Sequence, residues 1–162
     1  MVKARFMTPQ AVEIIETEIP LEETMSLNHS RLIGRLTVLL ARYEDQYDIL
    51  PELEFELSAG RLKPDVALLP KQEVNWEKDI VRFPFPPVTA IEILSPTQSL
   101  DSLIIKIRDG YFPSGTQSAW LVLPAVKTVY LFLPQQAPSI VSSGVLHDPV
   151  SGVEVHLEAL FR

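Results

Sequence analysis

Residues 88–96 read V-T-A-I-E-I-L-S-P. Val, Thr and Ile in a short run that Pro96 closes predict a strand that is apolar on both faces, as in the middle of a covered sheet. Glu92 stands at its centre. A buried carboxylate there must pair, bind a cation, reach solvent at the strand's end, or hold a proton.

On the N-terminal side, residues 70–87 are charged at first and then rich in Pro and aromatics, which predicts an irregular excursion. Ile49–Leu57 and Leu62–Leu69 read as two strands around the S-A-G-R turn, where Gly60 supplies the reversal. From Ser26 to about Glu44, Leu32, Leu36, Leu39 and Leu40 fall at helical spacing, with Asn28 or Ser30 as the cap. Ala11–Ile19 alternates loosely before Pro20 and reads as an edge or outer strand. On the C-terminal side, Thr97 or Ser99 caps a second helix that runs to about Phe112 and is ended by Pro113 and Gly115. Ser118–Leu123 and Thr128–Leu133, joined by P-A-V-K, read as a buried pair of strands. After a loop at Pro134–Pro138, Ser139–Leu160 reads as short strands with D-P and S-G turns. Strands and helices do not alternate regularly and nothing repeats, so the expected class is an α/β or α+β sandwich with a mixed sheet.

A chain of 162 residues with 46% hydrophobic content fits one domain, residues 1–162. Fourteen basic against 21 acidic residues give a net charge of -7. That balance argues against holding nucleic acid by bulk electrostatics, so any such contact must be local. No apolar run approaches the length that crosses a bilayer, and the N-terminus lacks the pattern of a secretory signal; a cytoplasmic protein with no membrane association is expected. With no Cys, disulfides, thiolate zinc sites and Cys nucleophiles are excluded. Phosphate-loop, dinucleotide, G-x-S-x-G and H-E-x-x-H motifs are missing as well.

A second acid has a similar setting. K-P-D-V-A-L-L places Asp65 directly before an apolar strand. If the two strands lie side by side, Asp65 and Glu92 converge, which suits a hard divalent cation such as Mg²⁺ whose other ligands are waters and phosphate oxygens. The chemistry expected is metal-assisted attack on a phosphodiester.

In order and spacing, M-S-L-N-H-S-R-L-I-G-R-L, K-P-D-V-A-L-L, A-I-E-I-L-S-P, S-L-D-S-L-I-I-K, Y-F-P-S-G and A-W-L-V-L-P together resemble the Uma-type endonuclease family of the PD-(D/E)XK restriction-endonuclease-like superfamily. The resemblance covers most of the chain. It implies an α/β restriction-endonuclease-like fold, a mixed central sheet flanked by helices, and a Mg²⁺- or Mn²⁺-dependent endonuclease acting on DNA with Asp65 and Glu92 as metal ligands. The superfamily's lysine, two positions after the acid, is Leu94 here. The resemblance moves the basic role to the next helix, to Lys106, with Arg108 as substitute. Its task there is to position the attacking water and to stabilise charge on phosphorus. Lys106 precedes Tyr111 by five residues where the resemblance implies four, so helix register decides which way its ammonium faces.

Other residues carry two readings each. His29, at a helix start, packs or caps, or joins the site. Arg31, Arg35 and Arg42 form a narrow stripe that grips phosphates or solvates the helix flank. Gln98 adds polar contacts beside the acid, and Ser95, before Pro96, does the same or makes the turn. Trp76, Phe83 and Phe85 pack under the long loop, or form a lid or dimer contact. Tyr111 and Trp120 read as core. Two alternatives stand beside the nuclease: a catalytically degenerate homologue serving as a binding or assembly module, and a carboxylate-metal hydrolase for a small phosphorylated substrate. A homodimer is expected, motivated by two-strand cleavage and the apolar C-terminal strands.

Overall fold

The computed structural model describes residues 25–162, so the strand expected at Ala11–Ile19 lies outside the described residues. In chain order the elements are α1 (Leu27–Leu40), β1 (Tyr47–Pro51), β2 (Phe55–Leu57), β3 (Gly60–Leu62), β4 (Val66–Pro70) and β5 (Thr89–Ile93). They continue as α2 (Leu100–Ile105), a π-helical turn over Lys106–Tyr111, β6 (Ser118–Leu123), β7 (Thr128–Phe132), β8 (Ser139–Val141), β9 (Val145–His147), β10 (Glu154–His156) and α3 (Leu157–Leu160). Six strands form one mixed sheet in the order β1-β4-β5-β6-β7-β8, with two small hairpins, β2–β3 and β9–β10, beside it. All neighbours in the large sheet are antiparallel except β5 and β6, which run parallel with Glu92 opposite Leu121. Among the described residues no helix is long and apolar enough to cross a membrane.

Side chains alternate between sheet faces, and this parity assigns every residue of β5. Ile91 and Ile93 join Leu32, Leu36 and Leu40 of α1, with Trp120, Val122 and the C-terminal Val155 and Leu157, in one core. Each fully buried leucine there contributes about 2 kcal/mol. Ala90 faces the other way, onto Leu103, Ile107 and Tyr111. Glu92 shares the parity of Ala90, so the strand delivers its carboxylate to the side covered by α2 and the π turn. All five residues of β5 and all six of β6 are buried, so the apolarity of these strands is used within the chain's own core.

Several expectations change in detail. Helix α1 is capped by Ser26, whose hydroxyl accepts from His29 N at 3.3 Å; Asn28 and Ser30 lie inside the helix. Its last turn tightens into a 3₁₀ segment at Ala41–Tyr43. Each of the two long strands expected around S-A-G-R is broken in two. Glu52 takes a left-handed φ of 60°, which a continuing strand does not tolerate, and Pro64 offers no N–H to a ladder. The outer halves, β2 and β3, leave the main sheet as a hairpin, while β1 and β4 stay in it. Residues 71–87 are irregular apart from one bridge between Phe83 and Phe55. The second helix is capped by Ser99 and turns π-helical at Lys106. The expectation of strands alone after Ser139 missed α3.

Candidate active site

Asp65 precedes β4, and Glu92 is the fourth residue of β5, its neighbour in the sheet. The two acids are tied through the backbone: Asp65 Oδ2 accepts from Ile93 N, the residue after Glu92, at 2.6 Å. Asp65 Oδ1 lies 3.1 Å from His29 Nε2. His29 occupies the first turn of α1 and is buried because the Ser26 cap starts the helix where its imidazole points inward. The hydrogen bond to Asp65 raises the pKa of His29 above its ordinary value, against the opposing effect of burial.

Glu92 is only 2% exposed. Its Oε1 receives two partners, the Lys106 ammonium at 2.6 Å and the Tyr111 hydroxyl at 2.6 Å. Among the described residues no hydrogen bond reaches Oε2. Burial pushes the Glu92 carboxyl above its usual pKa; Lys106 opposes the shift and the like charge of Asp65 adds to it. Burial, followed by the charge of Glu92, pushes the Tyr111 hydroxyl well above its ordinary value, so it stands here as a donor. Lys106 Nζ also donates to the Lys63 carbonyl at 3.0 Å, which anchors it over the K-P-D turn.

The structure thus brings Asp65, Glu92 and Lys106 to one end of the sheet. Arg108, the substitute for Lys106, faces elsewhere: its guanidinium donates to the Leu133 and Gln136 carbonyls and stacks on Phe112 and Phe132. Arg31 and Arg35 are engaged too, on the carbonyls of Arg162 and Ala159, and Arg42 stacks on Tyr43. Arg31 and Arg35 thus tie the C-terminal segment to α1, while Arg31 and Arg42 stay exposed on the solvated flank of the helix. Ser95 and Gln98 bond to each other and make the turn after β5. Trp76 is 92% exposed, whereas Phe83 packs edge-on against Phe55. Trp120 belongs to the core, and so does Tyr111; its hydroxyl on Glu92 went unread in the sequence. The available signal was the Lys106–Tyr111 spacing itself.

The donor set fits a hard divalent cation. Two like charges are lodged together, one carboxylate oxygen has no donor among the described residues, and the neighbouring groups are oxygen and nitrogen atoms. Among the described residues no three His, Asp or Glu side chains form a closed metal cage. A pair of carboxylates suits a cation that keeps waters and substrate oxygens as its remaining ligands.

The model of the Uma2 family, described as "Putative restriction endonuclease", matches residues 4–159. No curated protein matches the chain. Among solved structures, the crystal structure of a "putative nuclease belonging to DUF820" from Anabaena variabilis ATCC 29413 aligns with a TM-score of 0.71 at 21% identity, covering 85% of this chain and 82% of that one. A cryoEM structure of a DrdV–DNA complex aligns with a TM-score of 0.46 at 15% identity, covering 82% of this chain and 80% of that one. The first of these likenesses shows a shared fold, and together with the family match the mixed sheet flanked by helices is restriction-endonuclease-like.

Proposed function

The chain belongs to the Uma2 family, and on that premise we propose that it is a divalent-metal-dependent endonuclease that hydrolyses DNA phosphodiester bonds. The observation that carries this reading is the meeting of Asp65, Glu92 and Lys106 at one end of adjacent strands. Asp65 and Glu92 would hold Mg²⁺ or Mn²⁺. When bound, such a cation supplies Lewis acidity and counter-charge at the phosphate. Lys106, fixed between Glu92 and the Lys63 carbonyl, is placed to orient the attacking water and to stabilise charge growing on the phosphoryl oxygens. The family description supports DNA as substrate. Two copies acting together would set one site against each strand of a duplex; light scattering tests that part of the reading.

Calorimetry with Mn²⁺ and Mg²⁺, followed by nicking of supercoiled plasmid, tests the proposal on the wild type and on Glu92→Gln. The wild type is expected to bind metal and nick, and the variant to do neither. Absence of metal binding in the wild type would sink the proposal. One observation favours the degenerate alternative: both Asp65 oxygens and Oε1 of Glu92 already have partners within the chain. Metal binding with no cleavage of plasmid, single strands or branched DNA would select that alternative.

A further inference from the structure

In an α-helix, side chains five positions apart stand about 140° from each other around the axis, whereas those four apart nearly align. A regular helix through Lys106 and Tyr111 would therefore send only one of them to Glu92. The chain instead widens one turn. Phe112 N donates to Ile107 O at 3.1 Å, a span of five residues, and the extra residue is absorbed within Lys106–Tyr111. Such π turns are rare and occur frequently at functional sites. Gly110 lies within the turn, where a Cβ would come within 3.2 Å of the Leu62 side chain; its small size lets β3 pack closely against the widened segment.

The result is a shared target. Lys106 and Tyr111 both reach Oε1 of Glu92, each at 2.6 Å, while Oε2 receives no hydrogen bond among the described residues. A carboxylate whose two donors crowd one oxygen has its rotation fixed and its other oxygen available. We propose that Tyr111 is a positioning residue for metal binding: the π turn brings its hydroxyl and the Lys106 ammonium onto Oε1 of Glu92, which leaves Oε2 for the cation. The inference rests on the metal site proposed above and adds the element that orients it.

The test is a calorimetric Mn²⁺ titration of four proteins: wild type, Tyr111→Phe, Ser118→Ala and Glu92→Gln. Tyr111→Phe removes one hydroxyl and keeps the buried ring. Its Mn²⁺ affinity is expected to fall by about tenfold or more, the usual cost of losing a group that orients a metal ligand. Ser118→Ala is the matched control, because it also removes one hydroxyl from a buried carboxylate, Asp148, at the opposite end of the strands. Its Mn²⁺ affinity is expected to stay within about twofold of wild type. If Tyr111→Phe binds Mn²⁺ as tightly as the wild type while Glu92→Gln does not bind, the role of Tyr111 is overturned and the metal site stands. Equal losses in Tyr111→Phe and Ser118→Ala would also overturn it, since the effect would then be one of general stability. Wild-type binding that survives in Glu92→Gln would remove the cation from Glu92, and both readings would fail together.

Discussion

Strand β5 meets one buried carboxylate at its start and carries another, its own Glu92, and the two are solvated in opposite ways. At its start Thr89 donates to Asp148, which is fully buried. Asp148 Oδ2 also accepts from the Ser118 hydroxyl at 2.6 Å and from Trp120 Nε1 at 2.9 Å, while Oδ1 takes the backbone N–H groups of Val150 and Ser151. Five neutral donors occupy both oxygens. Glu92, three residues along β5, has two donors on one oxygen, one of them a cation, and a second acid close enough to raise its pKa. Complete solvation by neutral donors makes Asp148 a staple between the C-terminal hairpin and the sheet. Among the described residues, partial solvation leaves Glu92 with binding capacity unused, which is what a site needs and what stability alone disfavours.

The same isosteric change at both positions breaks this comparison most sharply. Asp148→Asn must turn an NH₂ group toward at least two donors whichever way the amide is set, and is expected to cost about 3 kcal/mol in urea unfolding. Glu92→Gln can keep its oxygen on Lys106 and Tyr111 and point its NH₂ toward the vacant side. Its stability at pH 7 is expected to lie within about 1 kcal/mol of wild type. Comparable losses in the two variants would erase the distinction between staple and site.

Lys106→Ala addresses chemistry instead of folding. It is expected to lower the plasmid-nicking rate by about 100-fold, as removal of one transition-state donor does, while Mn²⁺ still binds in calorimetry. An unchanged rate would make Lys106 only a partner of Glu92. A smaller effect, of about 1 kcal/mol in urea unfolding, is expected for Arg35→Ala, which removes two hydrogen bonds from the Ala159 carbonyl and none from the site. Its nicking rate should not change.

The smallest effect is on the pH dependence of stability. The folded chain holds the Glu92 proton above the ordinary carboxylate value of 4.5 and the His29 proton above the ordinary 6.5. In each case the folded state binds more protons than the unfolded one between the two values, so stability falls as pH rises through that window. The contribution of the His29–Asp65 pair is complete below 6.5 and is lost as pH rises through the raised folded value. Urea midpoints measured from pH 4 to 9 are expected to decline less in His29→Asn than in wild type. The limb that begins near 4.5 is expected to vanish in Glu92→Gln. A parallel decline in all three proteins would show that these groups do not titrate as the structure requires.

Much of this arrangement was legible. The apolar run at Val88–Pro96, the acid within it, the second acid after Pro64 and the buried pair Ser118–Leu123 and Thr128–Leu133 all follow from local pattern, because strand parity and turn chemistry act within a few residues. His29 and Tyr111 were harder to read. Each is local to its own helix, but its partner is 36 or 19 positions away, and only the packed sheet brings them together. The carbonyls held by Arg31 and Arg35 were illegible for the same reason, since they come from the far end of the chain. The breaks at Glu52 and Pro64 were missed because apolar alternation runs through both and conceals the change in backbone direction.

By itself the sequence determined that a carboxylate would sit inside a covered strand and that such a group needs partners, since burial of an unpaired charge is prohibitive. Tertiary structure alone decided which partners those would be. Parity turned Glu92 toward α2, and a single widened helical turn aligned Lys106 with Tyr111. The physical reason is angular: one residue more or less in a helix rotates a side chain by about 100°, and only packing against the sheet selects the turn that absorbs it.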